Sequence, residues 1–124
     1  MKRILVVDDD RDFQKITRII LESGNYEVLT AGNGEQALEV MRRDKPDLVL
    51  LDIMMSYILD GLDVRREMAQ DVRLRDIPVI MVTSLTGKHA RSSLPSDEYI
   101  PESEWLHKPI DPDTLLQLIR GKLA

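Results

Sequence analysis

The chain has 124 residues, 43% of them hydrophobic, which suits one domain with a single apolar core and argues against wholesale disorder. No cysteine and only two histidines, His89 and His107, exclude disulfide scaffolds, thiol nucleophiles, Fe–S clusters and His-rich metal sites. A net charge of −5 argues against nucleic-acid binding through bulk electrostatics.

The start is basic, but only Ile4-Leu5-Val6-Val7 separates it from Asp8-Asp9-Asp10. A secretory core needs about 7–15 apolar residues, and a membrane span about 20. The expectation is therefore a cytoplasmic, soluble protein with one domain over residues 1–124. Ile4 to Val7 reads as a buried strand. Phe13, Ile16, Ile19 and Ile20 then fall at helical spacing, with Asp9 or Asp10 as cap and Gly24 as stop. Tyr26 to Thr30 predicts a second strand. Asn33-Gly34-Glu35-Gln36 resembles a capping box for a helix with Ala37, Leu38 and Met41.

Leu48 to Leu51 predicts a third strand, ending at Asp52. Asp60-Gly61 opens a helix to about Asp71, with Leu62, Val64 and Met68 inward. Val79 to Val82 predicts a fourth strand ending at Thr83, and Trp105 to His107 a short fifth leading to Lys108-Pro109. Asp111-Pro112 starts a last helix with Leu115, Leu116 and Ile119 inward. Apolar strands alternating with helices imply a parallel sheet covered on both faces. Residues 85–104, rich in Ser, Pro and acids, break the alternation and predict a short or irregular helix there.

In open α/β sheets, ligands bind beyond the carboxyl ends of the strands. Those ends carry Asp8, Asp9 and Asp10, then Asp52, Thr83 and Lys108. Clustered carboxylates repel and call for a cation, and oxygen ligands suit Mg²⁺. An Asp carboxylate can attack phosphorus, while a lysine and a hydroxyl hold the phosphoryl oxygens. These residues form a coherent phosphoryl-accepting set.

Val6-Val7-Asp8-Asp9-Asp10, Leu51-Asp52-Ile53-Met54-Met55, Asp60-Gly61, Val82-Thr83-Ser84 and Lys108-Pro109, in this order at strand ends, carry a resemblance. The chain resembles the receiver domain of two-component response regulators over essentially its whole length. The resemblance implies a flavodoxin-like three-layer sandwich, with strand order 2-1-3-4-5 and about five helices, the one over 85–104 short or irregular. It implies Asp52 as phosphoacceptor. It implies Mg²⁺ ligation by Asp9, Asp52 and the Met54 backbone carbonyl, with Asp8 acting through water. Lys108 would pair with Asp52 and then the phosphoryl group, Thr83 would bind a phosphoryl oxygen, and Thr83 with Trp105 would form the switch. The Lys108-Pro109 peptide is often cis in this family.

The implied partners are a histidine kinase or phosphotransfer protein and a downstream protein. A homodimer is compatible, and neither direct nucleic-acid binding nor a membrane is implied. Self-phosphorylation and autodephosphorylation would be the domain's own chemistry, with no enzyme activity on an outside substrate.

The sequence departs from the family pattern in two places, and a third feature bears on the lifetime of the phosphoryl group. Ser56 stands where Pro is common, and Ser56-Tyr57-Ile58-Leu59 contains one extra residue. Residues 85–104 replace a regular helix on a face that commonly binds partners, and phosphorylation is expected to reorder them through Thr83 and Trp105. Met54 and Leu85, two past the acceptor and two past Thr83, are apolar and imply a slowly hydrolysing phosphoaspartate. Two other functions are compatible with the residues. One is a degenerate receiver that binds its partner without phosphate. The other is a Mg²⁺-dependent phosphohydrolase, disfavoured because Asp8-Asp9-Asp10-Arg11-Asp12 lacks the Thr of an Asp-x-Asp-x-Thr motif.

Overall fold

A computed structural model describes residues 1–52, 60–83, 105–107 and 110–123. Five strands, β1 (Arg3–Val7), β2 (Glu27–Ala31), β3 (Leu48–Asp52), β4 (Val79–Thr83) and β5 (Trp105–His107), form one sheet. Four described helices accompany them: α1 (Arg11–Ser23), α2 (Gly34–Asp44), α3 (Asp60–Gln70) and α4 (Pro112–Leu123). Every strand pair is parallel and the order is β2-β1-β3-β4-β5, as the family resemblance implies. The insertion within Ser56-Tyr57-Ile58-Leu59, the helix expected over 85–104, and Lys108-Pro109 lie outside the described residues.

The continuous apolar runs of β1, β3 and β4 have a simple cause, since side chains alternate faces along a strand and both faces are buried. Leu5, Val7, Val49, Leu51, Val79 and Met81 pack on one side against Ala37 and Met41 of α2 and Val64 and Met68 of α3. Ile4, Val6, Leu48, Leu50, Ile80 and Val82 pack on the other side against Leu21 of α1 and Leu115 and Ile119 of α4. β2 is an edge strand and is correspondingly only half-buried, starting one residue later than the sequence pattern suggests.

The helix caps follow the local chemistry. Asp10 takes the N-cap of α1, its carboxylate accepting from the backbone N–H of Asp12 at 2.9 Å and of Phe13 at 3.3 Å. At the C-terminus Gly24 keeps a negative φ of −92°, and Asn25 makes the left-handed turn at φ 68°. Gly24 serves packing instead: a Cβ there would lie 2.8 Å from Leu116 Cδ2 on α4. Asn33 caps α2 by accepting from Gln36 N–H at 2.9 Å. The reciprocal bond falls one residue early, because the Gln36 side-chain oxygen accepts from Gly32 N–H and not from Asn33. Asp111 caps α4 by accepting from Thr114 N–H at 2.9 Å, and that bond lowers its carboxyl pKa.

The helical spacing of α1 hides one departure. Ile16 and Ile19 are 59% and 69% exposed, while Thr17 and Leu21 take the buried positions. The inward arc of α1 is narrow and is already filled by Leu21 with the partly buried Phe13 and Ile20. On the opposite side of the sheet, α2 and α3 are tied by Asp71, which meets Arg42 Nε at 3.4 Å and Arg73 Nη2 at 3.1 Å.

Candidate functional site

The registers explain how distant acids meet. Ile4 pairs with Leu48, Val6 with Leu50 and Val7 with Leu51, so the next residues of the two strands are Asp8 and Asp52. Neighbouring strands lie about 4.8 Å apart. Carboxylate oxygens of Asp8, Asp9 and Asp52 accordingly all come within 4.8 Å of one another. Asp8 and Asp52 are buried, at 0% and 3% exposure, and Asp9 is exposed.

The three consecutive acids do different work. Asp8 is fixed from both sides: its N–H donates to the Ala31 carbonyl at 3.0 Å, and its Oδ1 accepts from Asp10 N–H at 2.9 Å. Asp9 faces the opening. Asp10 belongs to the helix cap, so its carboxylate is withdrawn from the cluster that the sequence left open to it. Three carboxylates this close repel strongly unless a cation lies between them. An all-oxygen donor set, partly open to water, is the chemistry that Mg²⁺ favours. The residues present therefore fit a Mg²⁺ ion.

Thr83 is fully buried at the end of β4, one residue beyond Val82, the partner of Asp52. Its own pairing partner is His107, the residue before Lys108. The described strands thus bring Asp8, Asp9, Asp52 and Thr83 to one edge of the sheet. Trp105 contributes its backbone to β5 opposite Met81, while Met54 and Lys108 fall outside the described residues.

One residue at the site was not evident from the sequence. Gln14, half-buried on the first turn of α1, donates from Nε2 to the Asp8 carbonyl at 2.6 Å and the Ala31 carbonyl at 3.3 Å. Its only sequence signal is its place four residues after the cap Asp10, which a polar helix residue shares with many others. Beside it opens a cleft of about 380 Å³ walled by Asp9, Arg11, Gln14, Thr30, Asn33 and Gln36.

Comparison with known proteins places this geometry. A sequence model described as the response regulator receiver domain matches residues 4–120. Protein PilH of Pseudomonas aeruginosa is 37% identical over 125 residues, covering 100% of this chain and 99% of PilH. Response regulator PleD of Caulobacter vibrioides is 40% identical over 120 residues, 96% of this chain but 25% of PleD. The chain spans a quarter to about half the length of most curated relatives it matches. The crystallised chemotaxis protein CheY4 of Vibrio cholerae shares the fold, with a TM-score of 0.81, 24% identity and 99% coverage of both chains. Receiver domains are generally non-enzymatic signalling domains that bind Mg²⁺ through acidic residues and interact with histidine kinases or phosphotransfer proteins. Among the described residues, no helix is long and apolar enough to cross a membrane. With the matching strand order and an acidic cluster at the strand ends, this chain belongs to the response regulator receiver domain family.

Proposed function

We propose that residues 1–124 form one receiver unit that accepts a phosphoryl group on Asp52 from a cytoplasmic histidine kinase or phosphotransfer protein, and thereby changes a protein-binding surface. A carboxylate oxygen of Asp52 attacks phosphorus and forms a new P–O bond. The bond from phosphorus to the donor's histidine nitrogen breaks, and its electron pair leaves with that nitrogen. Mg²⁺ would be held by Asp9, Asp52 and the Met54 carbonyl, with Asp8 acting through water, and would supply neutralisation of charge on the phosphoryl oxygens. Lys108 and the Thr83 hydroxyl bind those oxygens, and Thr83 with Trp105 passes the change to the surface.

The observation that supports this reading is the meeting of the Asp8, Asp9 and Asp52 carboxylates at the ends of adjacent strands. A buried acid at 3% exposure beside two others is costly unless positive charge offsets it, which a bound cation would do. Intact mass after incubation with acetyl phosphate and Mg²⁺ tests it. One phosphoryl adduct is expected in wild type, absent without Mg²⁺ and absent in Asp52→Asn. No adduct in the folded wild type would overturn the reading and favour a phosphate-independent binding module.

A further inference from the structure

We propose that Gln14 is a positioning residue for the metal site, holding the Asp8–Asp9 peptide in the orientation that aims the Asp9 carboxylate. The proposal rests on the reading of Asp8, Asp9 and Asp52 as the metal and phosphoacceptor site. The β1 ladder ends at Val7, which pairs with Ala31 on one side and Leu51 on the other. Beyond it, the Asp8 N–H still reaches Ala31 O at 3.0 Å. The Asp8 carbonyl is the first acceptor past the last strand pairing of β1, and the Gln14 amide donates to it at 2.6 Å. The same amide nitrogen lies 3.3 Å from Ala31 O. One side chain of α1 therefore bridges the ends of β1 and β2.

The carbonyl held by Gln14 belongs to the peptide unit that leads directly into Asp9. Rotation of that peptide swings the Asp9 side chain, which is exposed. Mg²⁺ demands near-ideal octahedral geometry at about 2.0–2.1 Å, so a ligand that swings binds poorly. Groups that orient metal ligands without touching the metal typically change affinity about 10–100-fold when removed. Gln14 is fixed in turn by α1, whose first turn is set by the Asp10 cap. The acid run thus anchors the helix that anchors the acid run.

The test is calorimetric titration of Mg²⁺ into the intact chain, comparing wild type with Gln14→Met, which keeps the side-chain length and removes both donors. Kd for Mg²⁺ is expected to rise about tenfold. The rate of phosphoryl uptake from acetyl phosphate at saturating Mg²⁺ is expected to change little, because the metal restores the ligand geometry once bound. Gln14→Leu provides a second donor-free variant, and both are checked for fold by circular dichroism. Ile20→Ala, which loosens the same helix away from the site, is expected to lower Tm and leave the Kd unchanged.

An unchanged Kd in Gln14→Met and Gln14→Leu would overturn the positioning role. So would an equal rise in Ile20→Ala, or unfolding of both Gln14 variants, since either makes the role one of the fold alone. A wild type that binds no Mg²⁺ and takes no phosphoryl group instead overturns the reading of the site itself.

Discussion

Replacing Asp9 with Asn should stabilise the metal-free protein. The carboxylate oxygens of Asp8, Asp9 and Asp52 lie within 4.8 Å of one another. At that distance each like-charge pair costs about 3.5 kcal/mol at an effective dielectric of 20, and about 0.9 kcal/mol in bulk water. Asp9 takes part in two such pairs and is exposed, so its repulsion lies towards the water end of that range. Asn keeps the shape and removes the charge, and among the described residues none hydrogen-bonds to the Asp9 carboxylate. The expected gain is about 2 kcal/mol in chelator at low ionic strength, shrinking as salt screens the pair. Mg²⁺ should reverse the order. Wild type gains about 2.7 kcal/mol at a free concentration about a hundred times its Kd, and the variant, lacking a ligand, gains little. Urea unfolding with chelator and with Mg²⁺ measures both effects. A variant no more stable than wild type in chelator, or an equal Mg²⁺ response in the two proteins, would refute the reasoning.

Three further expectations concern the frame around the site. The Arg73 side chain and backbone N–H, with Arg42, hold the Asp71 carboxyl at about 2, below its ordinary 3.8. Its contribution is therefore complete above the ordinary value and lost as pH falls towards 2, so acid titrations of stability should lose part of their slope in Asp71→Asn. Lys45 closes α2 in the left-handed region at φ 46°, and Lys45→Gly should raise stability by about 0.5–1 kcal/mol in urea unfolding, the relief of strain exceeding the added freedom of the unfolded chain. Ile16→Gln and Ile19→Gln should change unfolding free energy by no more than about 0.5 kcal/mol, whereas Leu21→Ala in the same helix should cost about 2–5 kcal/mol.

The sheet was legible because β1, β3 and β4 are buried on both faces, which leaves no polar interruption in their sequences. The candidate site was legible for the same reason: Asp8, Asp52 and Thr83 are the first polar residues after those runs. What periodicity could not supply was the direction of α1, although it supplied Val64 and Met68 of α3 and Leu115 and Ile119 of α4 correctly. Ile16 and Ile19 fit the spacing of an apolar face, yet the inward arc is set by where the sheet lies, and it selects Thr17 and Leu21. Gln14 was illegible because its role depends on carbonyls of β1 and β2, and backbone acceptors carry no mark in a sequence. Gly24 shows the converse. The residue was evident as a helix stop, but its reason is the nearby Leu116 side chain and not a positive φ.

The position of the acids along their strands decides how stability and chemistry are divided. Ile4 with Leu48 and Val6 with Leu50 form apolar cross-strand rows, and Asp8 with Asp52 continues them by one step. A charge one row earlier would sit in the core that contains Val6, Leu50 and Val82, with no water or metal to neutralise it. Asp9, one residue later, has left the ladder and is exposed, yet its carboxylate still comes within 4.8 Å of the other two. The last row is thus the place where acids can be held rigidly by the sheet and still be reached by a cation. This placement concentrates like-charge repulsion at one edge, away from the two apolar clusters that hold the fold. Substitutions upstream of the row should then act on stability alone. Substitutions in it, and at Asp9 beside it, should act on metal binding and phosphoryl uptake, and removal of a charge should stabilise the metal-free fold, as expected for Asp9→Asn.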